Sequence, residues 1–176
     1  MVATVSSLSD EEFQSGPTLC EGWAPRDVLA HVIGVDTEVG AYLRAGGRIN
    51  TANEDVVGRG RSRSREELLV QGHRWAAQPA PLARLAAFGL LGDVAIHHQD
   101  VLRPLGRDYE VPPASRRAIL REGMLLGARR LWTHRIEPVD GGMAIGRGRV
   151  VRGTMTALGL WLAGRRSVED ELYFGT

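Results

Sequence analysis

Asp93 and His97 sit four residues apart in the apolar stretch "LLGDVAIHHQD", residues 90–100. On a helix they share one face, one turn apart. Two chemistries fit such a pair: a buried carboxylate–imidazole hydrogen bond, or two ligands of one metal ion. His31, in the middle of "VLAHVIG" on an otherwise apolar face, is the candidate for a third ligand. Two imidazoles and one carboxylate would leave a coordination position open, as catalytic rather than structural metal sites do. The competing reading of each histidine is a core side chain satisfied by a hydrogen bond. Asp100, three residues after His97, would either orient an imidazole nitrogen or pair with Arg103 or Arg107. His98 is rotated about 100° off the Asp93/His97 face and is expected to be exposed or to support the ligands rather than be one.

Helices must position these groups. "SLSDEEFQ", residues 7–14, reads as a short helix with Ser9 as cap and acids in its first turn. "APRDVLAHVIGVDTEVGAYLRAGG" starts with Pro25 at a favoured early position and is predicted helical to about residue 45, with Gly46 and Gly47 as its stop. Residues 48–64 show no periodicity and many turn formers, which predicts a long loop. Its Arg59, Arg61, Arg63 and Arg65 would be a solvated edge or an attraction for an anionic substrate. Further helices are predicted over about 65–77 (ended by Pro79 and Pro81), about 84–103, and about 113–132, the last burying Ile119, Leu120, Met124, Leu131 and Trp132. Asp140-Gly141-Gly142 lies between two short β-capable runs and predicts a hairpin. "TMTALGLWLAGRR" returns to helix and stops at Gly164. The expected division is a helical bundle over 1–133 and a hairpin with its helix over 134–176, packed as one compact domain.

The 176 residues suit one domain. A net charge of +1 gives no reason to expect nucleic acid, and no apolar stretch reaches the ~18–20 residues of a membrane span. "MVATVSSLSDEEF" lacks a secretory pattern. The single cysteine, Cys20, excludes a disulfide framework and a cysteine-rich zinc site and points to the cytoplasm. All 22 basic residues are arginine. No structural rule demands that, and a GC-rich genome explains it.

"LCEGWAPRDVLAHVIG" resembles the opening helix of the mycothiol-dependent maleylpyruvate isomerase-like proteins, within the wider DinB-like superfamily. "DVAIHHQDVLRPLG" and "VRGTMTALGLWLAGRR" are similar to two later elements of that family, in the same order. The resemblance implies a mainly α fold: an up-and-down, DinB-like four-helix bundle with a small C-terminal β-hairpin and helix. It also implies a divalent metal held by His31, Asp93 and His97, zinc first, with nickel or iron as alternatives, and mycothiol, the thiol of high-GC actinobacteria, as cofactor or cosubstrate.

The chemistry expected of such a site is a thiol activated at the metal, acting on a small-molecule electrophile by isomerisation or S-transfer. Arg149 and Arg152 are candidates to hold an anionic substrate or the thiol cofactor, with plain surface arginines as the alternative. Cys20 and Trp23 are expected to pack at the loop-to-helix junction. Two other readings stay open: a non-catalytic metal- or ligand-binding bundle, and a two-histidine–carboxylate iron enzyme. A homodimer is left open as well.

Overall fold

The computed structural model describes residues 1–38, 44, 46, 48–78 and 87–175. The helix expected to run to about residue 45 ends at Thr37, with Glu38 already out of helical conformation at φ −116° and ψ 35°, while the stop at Gly47, the stops at Pro79 and Pro81, and a helix start near 84 lie outside these residues. Eight α-helices are described: α1 (Val2–Ser6), α2 (Asp10–Ser15), α3 (Pro25–Thr37), α4 (Ile49–Arg61), α5 (Arg65–Ala77), α6 (Ala87–Leu102), α7 (Pro113–Leu126) and α8 (Met155–Leu162). Four strands follow α7 or flank α8: β1 (His134–Pro138), β2 (Ile145–Gly146), β3 (Arg149–Gly153) and β4 (Tyr173–Phe174). The protein is mainly α with a small C-terminal sheet, and its chain forms two compact units, Met1–Ala87 with His97–Asp108, and Phe88–Ile96 with Tyr109–Thr176.

In the first unit, local signals set the helix starts. Ser9 caps α2 and Ser64 caps α5, each in a reciprocal pair with a glutamate three residues on (Glu12, Glu67), and Pro25 opens α3. Their apolar faces meet in a core of Val2, Val5, Leu8, Phe13, Val28, Leu29, Ile33, Leu68 and Val101. Residues 49–61 are helical, which corrects the expected loop. Ala52, Val56 and Val57 are buried along one side of α4, and this side rests on the small residues Ala30 and Gly34 of α3. Packing overrides the weak helix propensity of Asn50, Thr51, Asn53, Gly58 and Gly60.

In the second unit α7 and α8 cross with almost nothing between them. A Cβ on Gly159 would fall 2.5 Å from the Ile119 carbonyl oxygen, and one on Gly123 would fall 2.3 Å from that of Gly159. Every residue of α8 is buried. The helix expected to continue to Trp132 ends at Leu126, followed by a 3-10 turn over Ala128–Trp132. Trp132 is 67% exposed rather than buried, with the Arg147 guanidinium over its ring.

The sheet runs β2-β1-β3-β4. The expected hairpin is present as antiparallel β1 and β2, with Ile136 opposite Ile145. It is only part of the sheet, because β3 returns to pair with β1 in parallel and β4 pairs with β3 antiparallel. That return passes under the start of β1 at Gly146 and Gly148, both at positive φ and both within 2.3 Å, at a notional Cβ, of backbone carbonyls.

Candidate functional site

Helix α3 buries His31, and α6 buries His97 and Asp100. The rings of His31 and His97 meet edge to face, with centroids 4.7 Å apart. Trp23, from the connection before α3, lies against both, at 5.2 Å from His31 and 6.3 Å from His97. One turn before His97 on the same helix stands Asp93.

The donor set fits a divalent cation. Donors bound to one zinc at ~2.0–2.2 Å lie at most about 4.4 Å apart, a spacing that two imidazoles with centroids 4.7 Å apart reach by a small side-chain adjustment. Support behind the ligands is also present. His97 Nδ1 lies 2.8 Å from Asp100 Oδ2, and Asp100 is fully buried. A carboxylate only accepts, so Nδ1 carries the hydrogen and Nε2 is the nitrogen His97 would offer a metal. Arg103 donates to Gln99, and Arg107 reaches Ser7 and Glu12.

Cys20 packs half-buried against the first core at the loop-to-helix junction, as Trp23 does, and beyond that expectation it donates its thiol to Asp100 Oδ2 at 3.1 Å, with Sγ 3.7 Å from His97 Nδ1. Cys20, His97 and Asp100 form a second group whose ligand atoms lie within 4.8 Å of one another. The signal for this contact was thin: a thiol just before the His31 helix, with nothing local to say which helix end the loop would reach. His98 is buried, not exposed. It bonds Thr4 Oγ1 at 2.8 Å, and burial pushes its pKa down to about 4, assisted by the Met1 ammonium. Nothing in the sequence around Glu122 on α7 marks it as a site residue. Burial raises its carboxyl above the usual range, and the Asp93 charge adds to that.

The arginines singled out by spacing are committed within the fold. Arg61 forks onto Asp27 at 3.0 and 2.9 Å, Arg59 bonds Glu38, Arg63 bonds Gln71, and Arg65 bonds Asp10. An open groove of about 630 Å³ on the first unit has Cys20, Trp23, Arg26 and Arg61 among its lining residues. Arg26 there donates to the carbonyls of Arg61 and Arg63 at the end of α4. Arg149 and Arg152 lie on β3 of the second unit. Arg149 donates to the Gly175 carbonyl and Arg152 to Glu137, both at 2.7 Å, and Arg152 stacks over Tyr173.

Residues 1–88 match the family model described as the mycothiol maleylpyruvate isomerase N-terminal domain. The chain belongs to this family. Within the mycothiol maleylpyruvate isomerase N-terminal family match lie Cys20, Trp23 and His31, whereas Asp93, His97 and Asp100 lie beyond it. Among solved structures, the chain is similar to the mycothiol-dependent maleylpyruvate isomerase and to a histidine-to-alanine mutant of it. Each likeness has a TM-score of 0.70 at 15% identity, over 98% of this chain and 86% of that one. At that identity the likeness establishes the fold alone. No curated protein matches the chain. Among the described residues no helix is long and apolar enough to cross a membrane.

Proposed function

We propose that this protein is a metal-dependent, mycothiol-using enzyme that activates the thiol for isomerisation or S-transfer on a small electrophile. The observation that carries the reading is the meeting of His31 and His97, with ring centroids 4.7 Å apart and Asp93 one turn before His97 on its own helix, in a chain of the mycothiol maleylpyruvate isomerase N-terminal family. A divalent metal held there would supply Lewis acidity, lowering the pKa of a bound thiol so that it reacts as thiolate near neutral pH.

The chain's own part follows from its residues. His31 and His97 are neutral donors, and Asp93 contributes one negative charge. Asp100 holds the proton of His97 on Nδ1, keeping the imidazole oriented and its Nε2 basic. Trp23 covers the two imidazoles with an apolar ring and excludes water on that side. No cysteine of the chain is needed as nucleophile if mycothiol supplies the sulfur. Zinc is the reading for the metal; two imidazoles and a carboxylate suit nickel or iron as well.

The test is a titration of cobalt-substituted protein with mycothiol. A new sulfur-to-cobalt charge-transfer band saturating near one equivalent, with proton release, supports thiol activation at the metal. If azide alters the cobalt spectrum and mycothiol does not, the position is open but is no thiol site, and the iron-enzyme or binding-bundle reading replaces this one.

A further inference from the structure

The loop before α3 is tied to Asp100 of α6 twice. Leu19 donates its backbone N–H to the Asp100 carbonyl at 3.0 Å, and Cys20 donates its thiol to Asp100 Oδ2 at 3.1 Å. The loop is itself braced by Thr18. Its hydroxyl accepts the Cys20 N–H at 3.1 Å and lies 2.8 Å from the Trp23 carbonyl that it donates to. Cys20 therefore has little freedom to point elsewhere. Asp100 Oδ2 receives the thiol and His97 Nδ1 on the same oxygen. A carboxylate without solvent exposure keeps its charge only if donors replace water, and the thiol is one of them.

We infer that Cys20 is a positioning residue: acting through Asp100, its thiol holds His97 in the tautomer that directs Nε2 toward the metal position. The part of this that concerns a metal rests on the function proposed above; the part that concerns Asp100 and His97 does not. Sγ is 3.7 Å from Nδ1, the ring nitrogen that is not offered to the metal, so the thiol acts on the ligand nitrogen only through the tautomer and orientation of the ring. With the thiol gone, the carboxylate loses a fixed contact and can swing about its Cβ–Cγ bond, its hold on His97 Nδ1 loosens, and the Nε2–H tautomer gains population. A hydroxyl in the same place would restore the contact, since it is a stronger donor than a thiol.

The experiment compares wild type, Cys20→Ala, Cys20→Ser and Asp100→Asn, each checked for native helix content. Nitrogen chemical shifts of the histidine rings in metal-free protein report the His97 tautomer, and competition with a chromophoric chelator reports zinc affinity. Expected are a single Nδ1–H tautomer in wild type, a mixture in Cys20→Ala and Asp100→Asn, and recovery in Cys20→Ser. Zinc affinity should fall about tenfold in the Ala variant and recover in the Ser variant. An unchanged tautomer in Cys20→Ala overturns the inference. So does a sulfur-to-cobalt band in wild type without added thiol that Cys20→Ser abolishes, for Cys20 would then be a ligand itself. If wild type binds no zinc, the metal reading fails, while the tautomer comparison still decides the role of Cys20.

Discussion

Val56 of α4 lies so close over Gly34 of α3 that a methyl group on Gly34 would fall 2.2 Å from Val56 Cγ1. Gly60 meets Ala30 in the same way, at 2.4 Å. Since Ala30 and Gly34 are four apart, α4 seats on one face of α3 and fixes its rotation, and with it the direction of His31. Gly34→Ala should destabilise the protein by about 1–3 kcal/mol in denaturant melts, because β-branched Val56 cannot turn aside. Gly58→Ala, at an exposed position of α4 with nothing within 4 Å, should stabilise it by about 0.5–1 kcal/mol. The opposite signs separate close packing from helix propensity.

Asp27 is 4% exposed and is neutralised by the Arg61 fork and the Ala24 N–H. Arg61→Met should cost about 2 kcal/mol, below the ~3–5 of a fully buried pair because the guanidinium is half in water. Arg61→Lys should recover only part of that loss, since an ammonium cannot bond both oxygens in the fork geometry. Urea midpoints of the two variants check the order.

Gly159→Ala should be strongly damaging to the second unit. Its Cβ would meet backbone at Ile119, which cannot move without parting α7 from α8. A loss of about 3 kcal/mol is expected, read as an early thermal transition by circular dichroism.

Acid stability should depend on Glu12. The Ser9 backbone N–H, and then Arg107, hold its carboxyl below the 4.5 it would have in the unfolded chain. Its contribution is thus complete above pH ~4.5 and is lost as pH falls from there toward the folded value. Glu12→Gln should melt lower than wild type at neutral pH, with the gap narrowing as pH drops from about 5 to 3. A constant gap would show that the carboxylate charge is not what matters.

Zinc at 100 times its dissociation constant should raise wild-type stability by about 2.7 kcal/mol, or very roughly 5–10 °C in Tm. His31→Ala and His97→Ala should keep their helices and lose that gain. Full zinc occupancy in His97→Ala would place the ion elsewhere.

Much of the helical framework is legible from local chemistry. Pro25, Pro113 and the Ser9 and Ser64 caps mark helix starts whatever lies around them. The helix α4 is not legible, because its stability comes from the small-residue face of α3 rather than from its own Asn, Thr and Gly residues. The parallel return of β3 is also hidden, since it needs Gly146 and Gly148 in left-handed conformations beside a strand start far back in the chain. At the site, helix arithmetic puts Asp93 and His97 on one face. That His31 faces them was given by family resemblance and not by spacing. The thiol contact of Cys20 depends on which helix end a loop reaches, and no periodicity encodes that.

The order β2-β1-β3-β4 hides the two five-residue strands behind partners of only two residues each. Short borders of this kind offer another chain too few open backbone groups to pair with. Colloidal behaviour thereby becomes a property of the outermost strand: with β4 missing, Val150 would lose the N–H of Gly175 at 2.8 Å and Arg149 its acceptor. The bared flank of β3, with Val150 and Val151 in it, would then be a template for filament growth.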